Sequence, residues 1–223
     1  MEEEEGAKML DKVVALYLQN PVLRTFVRVF PYGGLMDVAV AAFNEAYKHR
    51  MDVFYEELIL LNINPATERL KEREFVDAFI ATSRRVVETT QDDKIRRFAA
   101  MFTSYCDGGC FESVDHFEEY LSILDELSNR EFQVLLILNK YEEKYPIKSG
   151  DSPLQRATGI WGAFADEVEK QVGIGLAELT PILTRSQRTG LYEHFTGAYM
   201  DYSGGKGCLS PLFHRFLAAL RYK

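Results

Sequence analysis

The sequence predicts a mainly α-helical protein: a helical bundle over residues 1-127, followed by a second domain, residues 128-223, of shorter helices and a small β-hairpin. Three observations predict it. Apolar residues recur at i, i+3/i+4, i+7 through most of the chain, the spacing of one helix face. Glycine and proline are gathered in a few places rather than scattered. After Leu127 the long helical pattern gives way to capped, shorter segments and a glycine-rich stretch between aromatic runs.

Taken in order, Met9, Val13, Leu16 and Tyr17 give Ala7 to Leu18 a helical face, and Pro21 with the Pro31-Tyr32-Gly33-Gly34 cluster interrupts the chain after it, so two short helices and a turn are expected. Leu35 to Ile63 holds helical period through Val38, Ala42, Tyr47, Phe54 and Leu58, and Asn64-Pro65 ends it. Glu68 to Thr89 repeats the pattern with Phe75, Phe79 and Val86. Asp92 is read as the cap of a helix through Ile95, Phe98 and Phe102, which Asp107-Gly108-Gly109 breaks. Val114 to Leu127 forms the next helix.

Ser128-Asn129-Arg130-Glu131 has the Ser-x-x-Glu form of a capping box, so a helix is predicted from there to about Tyr145. The breaker-rich segment from Tyr145 to Pro153 is a loop. The next helix runs from about Leu154 to Gln171, with Gly173 ending it. Thr180-Pro181 reads as a fresh helix start, with threonine capping and proline at the first helical position. Aromatic runs on either side of Ser203-Gly204-Gly205-Lys206-Gly207 suit a hairpin with a flexible tip, and Ser210-Pro211 opens a closing helix.

With 47% hydrophobic and 27% charged residues the chain is expected to fold throughout. No apolar run approaches the ~20 residues of a membrane span, and the Met-Glu-Glu-Glu-Glu start lacks the basic region of an export signal, so no membrane association and a cytoplasmic location are expected. The three cysteines are expected to be reduced. The net charge of -8 is unevenly spread: 24 acidic and 14 basic side chains up to Leu127, against 10 acidic and 12 basic from Ser128 on. Only the second part is placed to tolerate a polyanion.

The stretch LTPILTRSQRTGLY, followed by a glycine-rich hairpin and LSPLFHRFLAAL, is similar to the recognition helix, wing and final helix of bacterial winged helix-turn-helix regulators, with VEKQVGI resembling the preceding helix and its glycine turn. The resemblance covers roughly residues 128-223. Ser186 stands where those regulators usually carry a core leucine, and Pro181 occupies a face that often approaches DNA. The helical first part resembles helical regions of uncharacterised bacterial proteins, a likeness that implies no activity.

The resemblance implies a non-enzymatic protein whose winged-helix module binds double-stranded DNA in transcriptional regulation. Thr180, Thr184, Arg185, Gln187 and Arg188 would lie on the helix that enters a major groove, and Lys206 on the wing. The alternative keeps the fold but makes the module a protein-interaction or scaffold element, in a stress or phage-defence setting, with the N-terminal helices supporting a homo-oligomer or a protein partner.

Other constellations favour plain structural readings. Cys106-x-x-x-Cys110 with His116 has the ligand types of zinc but no second close pair, so no metal or other cofactor is expected. No serine or cysteine sits in a nucleophile motif and the histidines are dispersed, so no catalytic residue is named. The run Gly204-Gly205-Lys206-Gly207 lacks the full phosphate-loop frame. Adjacent carboxylates such as Glu118-Glu119 point in different directions on a helix and belong to solvated surface.

Overall fold

A computed structural model describes residues 38–61, 73–109, 111–196 and 205–221, with the backbone alone over 38–44. The expected helices before Leu35, the Asn64-Pro65 stop, Cys110 and the Ser203-Gly204 tip lie outside the described residues. Within them the protein is mainly helical, with a small two-stranded antiparallel sheet near the C-terminus. The helices are α1 (Val38–Leu60), α2 (Arg73–Glu88), α3 (Asp92–Cys106), α4 (Val114–Glu126), α5 (Asn129–Lys144), α6 (Pro153–Val172), α7 (Leu176–Gln187) and α8 (Pro211–Ala219); the strands are β1 (Tyr192–His194) and β2 (Gly207–Leu209). The chain forms two compact units that divide after Glu118, inside α4.

In the first unit α1, α2 and α3 pack against one another. Phenylalanines on the predicted apolar stripes meet at Phe102, whose ring lies 5.5 Å from Phe75, 5.6 Å from Phe79 and 6.4 Å from both Phe54 and Phe117, in tilted or edge-on contacts favoured by the aromatic quadrupole. All five are buried. Around this core Arg50 donates to the carbonyl of Val87 at the end of α2, and Arg96 on α3 pairs with Glu57 on α1. Asp92 is not the cap of α3 as expected: Gln91 is, without a side-chain bond, and Asp92 and Asp93 instead place negative charge in the first turn, where the helix dipole favours it.

In the second unit α5 is the central element, touching α6, α7 and β2. Its apolar stripe, with Phe132, Leu135 and Leu138 buried, meets Phe164 and Val168 of α6 and Leu179 and Leu183 of α7 in the same core. The Ser128 capping box forms in full: Glu131 N donates to Ser128 Oγ (3.2 Å) and Ser128 N to Glu131 Oε2 (2.8 Å). A second box, Ser152 with Gln155, opens α6 ahead of Pro153. At the far end Gly173, with φ of 69°, closes α6 in the left-handed conformation that only glycine adopts cheaply.

The start of α7 corrects the sequence reading. It begins at Leu176, capped by Gly175, and Pro181 lies inside it rather than at its first position. Leu179 is buried together with Ile182, Leu183 and Ser186, so the apolar face starts a turn earlier than Thr180-Pro181 suggests, and burial outweighs the one backbone bond that proline cannot make. Pro181 itself is exposed.

The hairpin pairs Tyr192 with Leu209, Glu193 with Cys208 and His194 with Gly207. Gly207 thus belongs to a strand, not to the tip. It is glycine for closeness of approach, since a Cβ there would collide with the carbonyl of Glu193 and the ring of Tyr192. Ser210 caps α8 by accepting from Phe213 N and donates to Gly190 O, fastening the last helix to the exit of α7.

Candidate functional site

The residues singled out in the sequence fall on one side of α7. Leu179, Ile182, Leu183 and Ser186 face the core; the opposite stripe, Pro181, Thr184, Arg185, Gln187 and the capping Arg188, is exposed, with Thr180 half-buried. A three-residue turn, Gly173 to Gly175, joins α6 to this helix. The hairpin flanks it: Gly205 lies close enough to Thr180 that an added Cβ would sit 3.2 Å from the threonine hydroxyl. Lys206 is turned toward α6, with Nζ 3.4 Å from Thr158 Oγ1.

The arginines of this face are engaged by carboxylates of their own unit. Arg185 Nε donates to Glu131 Oε1 at 2.9 Å, and Arg188 Nε lies 3.6 Å from Glu126 Oε2. Nearby, Arg130 Nη2 is 3.4 Å from Glu178 Oε2. The pairs differ in kind. Arg188 with Glu126 and Arg130 with Glu178 are more than half exposed on both sides, the class that contributes roughly 0–1 kcal/mol and exchanges readily. Glu131 is only 2% exposed whereas Arg185 is 58% exposed. Burial pushes the Glu131 carboxyl up, but the hydrogen bonds from Arg185 and Ser128 outweigh it and hold it below the ordinary carboxylate range. The same bond raises Arg185 further above its usual value. Both are charged across the whole physiological range.

Sequence reasoning named Arg185 and found Glu131 as a cap, but missed their union across 54 positions; no local pattern carries that signal.

A second polar cluster lies under the hairpin. Glu142 of α5 is 7% exposed, accepts from Arg156 Nη2 of α6 at 2.8 Å, and from the backbone N–H of Leu209 at 3.3 Å. Burial raises its carboxyl above the ordinary value, more than Arg156 and the Leu209 amide lower it. On β2, burial with the nearby charges of Glu142 and Glu193 pushes the Cys208 thiol up to about 11. Neither Glu142 nor Cys208 was singled out in the sequence.

Cys106 is buried, and the described residues place no three His, Cys, Asp or Glu side chains so as to hold a metal ion. No described helix is long and apolar enough to cross a membrane. No family model, no curated protein and no solved structure matches the chain.

Proposed function

We propose that the second unit is a winged-helix-like module that docks α7 onto double-stranded DNA through the phosphate backbone. One observation carries this reading: the face made of Thr184, Arg185, Gln187 and Arg188, with Thr180 half-buried at its edge, stays open to solvent on a helix joined to its neighbour by a short glycine-flanked turn, with the hairpin and Lys206 at its side. That is the arrangement by which such modules present a helix to a groove. The ion pairs do not preclude it. Breaking the exposed pair of Arg188 with Glu126 costs at most about 1 kcal/mol, less than a charge-assisted bond to phosphate returns.

With Arg185, Arg188 and Lys206 as its cations the module neutralises about three phosphates, so log affinity falls with log salt at a slope of about −3, and affinity for random duplex is micromolar or weaker. Fluorescence anisotropy of a labelled random duplex at two salt concentrations tests this. Arg185→Ala with Arg188→Ala flattens the slope to about −1; a full chain with no salt-sensitive binding ends the DNA reading.

A second reading, in which the protein is an interaction or scaffold element, is supported by Leu60 on α1 and Leu176 at the head of α7, 72% and 65% exposed. Light scattering decides: a defined homo-oligomer that Leu60→Glu dissolves supports it, and a monomer at all concentrations counts against self-association.

A further inference from the structure

We propose that Glu131 is a positioning residue for anion binding: it pins Arg185 by one edge so that the other edge of the guanidinium meets a backbone phosphate brought to α7. The inference rests on the DNA reading for the source of the phosphate. It stands on the way one carboxylate is divided. Oε2 accepts from the amide of Ser128 and is thereby fixed to the N-terminus of α5, while Oε1 accepts from Arg185 Nε. Buried and held by both oxygens, Glu131 cannot follow a moving partner, so the arginine is what becomes ordered.

A guanidinium is a planar fork with donors on two sides. Using Nε leaves the four N–H groups of the terminal nitrogens, and among the described residues no carboxylate takes them. The side chain is 58% exposed, on a helix whose Thr184 and terminal Arg188 are exposed as well. An arginine already held in one rotamer loses less freedom when it binds than a loose one. Lysine is a poorer replacement, because its three donors sit on one freely rotating nitrogen and present no rigid second edge.

The opposing view makes Glu131 a rival that neutralises Arg185 and weakens anion binding. The two views predict opposite signs for one substitution. Glu131→Gln keeps the capping box, since glutamine serves at that position, and removes the charge that pins the arginine. An unchanged helical circular dichroism spectrum verifies the fold. In the full chain, the Arg185 Nε–H resonance in a 15N NMR spectrum is expected to be resolved and slow to exchange with water, and to shift when inorganic phosphate is added. In Glu131→Gln it broadens and no longer responds.

Duplex affinity is expected to fall roughly five- to tenfold in Glu131→Gln and by as much in Arg185→Lys. Equal or tighter duplex binding by Glu131→Gln overturns the inference, as does an Arg185→Lys protein that binds like the unaltered chain. If the chain ignores duplex but phosphate still shifts Arg185 in a Glu131-dependent way, the positioning role stands and the DNA reading falls. If phosphate leaves the Arg185 signal unmoved, the positioning role is overturned whatever the duplex does.

Discussion

Single residues carry much of the cohesion of each unit. Phe102, less than 2% exposed and ringed by four other phenylalanines, fills the centre of the first unit. Truncating it to alanine removes the buried ring and leaves a cavity, with an expected loss of about 3–5 kcal/mol in urea denaturation; a loss below ~1 kcal/mol would mean the ring is not packed as described. Glu142 behaves differently. Its carboxyl is raised by burial, so the folded state holds that proton more tightly than the unfolded chain, and the stability linked to it is fully present below the unfolded value and declines as pH rises through the folded one. Glu142→Gln, which keeps an acceptor for Leu209 N–H, is therefore expected to match or exceed the unaltered protein at neutral pH. Glu142→Ala removes the oxygen that accepts from both Leu209 N–H and Arg156, which glutamine retains, and loses about 3 kcal/mol. Equal losses in the two variants would show that this accepting oxygen is not what Glu142 contributes. Glu131 has the opposite sign: its lowered carboxyl contributes stability above about 4.5 that is lost as pH falls through its folded value.

At the scale of elements, what was legible in the sequence was whatever is local. The apolar stripes of α2, α3, α4 and α5, the capping box at Ser128, the glycine ending α6 and the Ser210-Pro211 start are all written within a few consecutive residues, and each forms. The start of α7 was not legible, because local chemistry at Thr180-Pro181 points one way and the burial of Leu179 the other. That conflict is measurable. Pro181 is exposed and deprives the helix of one backbone bond, so Pro181→Ala is expected to raise stability by roughly 1–3 kcal/mol in thermal unfolding. An unchanged or lower melting temperature would show that the missing backbone bond costs this helix nothing. Long-range pairings were equally hidden: Glu131 with Arg185 and Glu142 with Leu209 join residues 54 and 67 positions apart, and spacing rules reach only three or four.

At the scale of the whole molecule, the uneven charge sets the terms on which it meets other molecules. The excess of ten acidic side chains before Ser128 repels a polyanion at long range, and that repulsion weakens as salt shortens the screening length. On the proposed DNA reading, the second part presented alone is expected to bind duplex faster than the full chain at low ionic strength, with the two converging toward ~0.5 M salt; stopped-flow association rates that agree at all salts would remove the role assigned to the acidic half. The candidate face on α7 was named from the sequence residue by residue. Its electrostatics were not, since a count of arginines says nothing of the carboxylates folded against them.

The cysteine on the second strand offers a clock. A thiol pushed up to about 11, first by burial and then by Glu142 and Glu193, reacts slowly with alkylating reagents at neutral pH, and the share due to burial and Glu142 lasts only while β2 rests on α5 and α6. Any lifting of the ribbon would return Cys208 to ordinary thiol chemistry, so its labelling rate would report such openings. Occupancy of α7 by a ligand that also touches the ribbon would slow that labelling, giving a readout of engagement that needs no dye, tag or second protein.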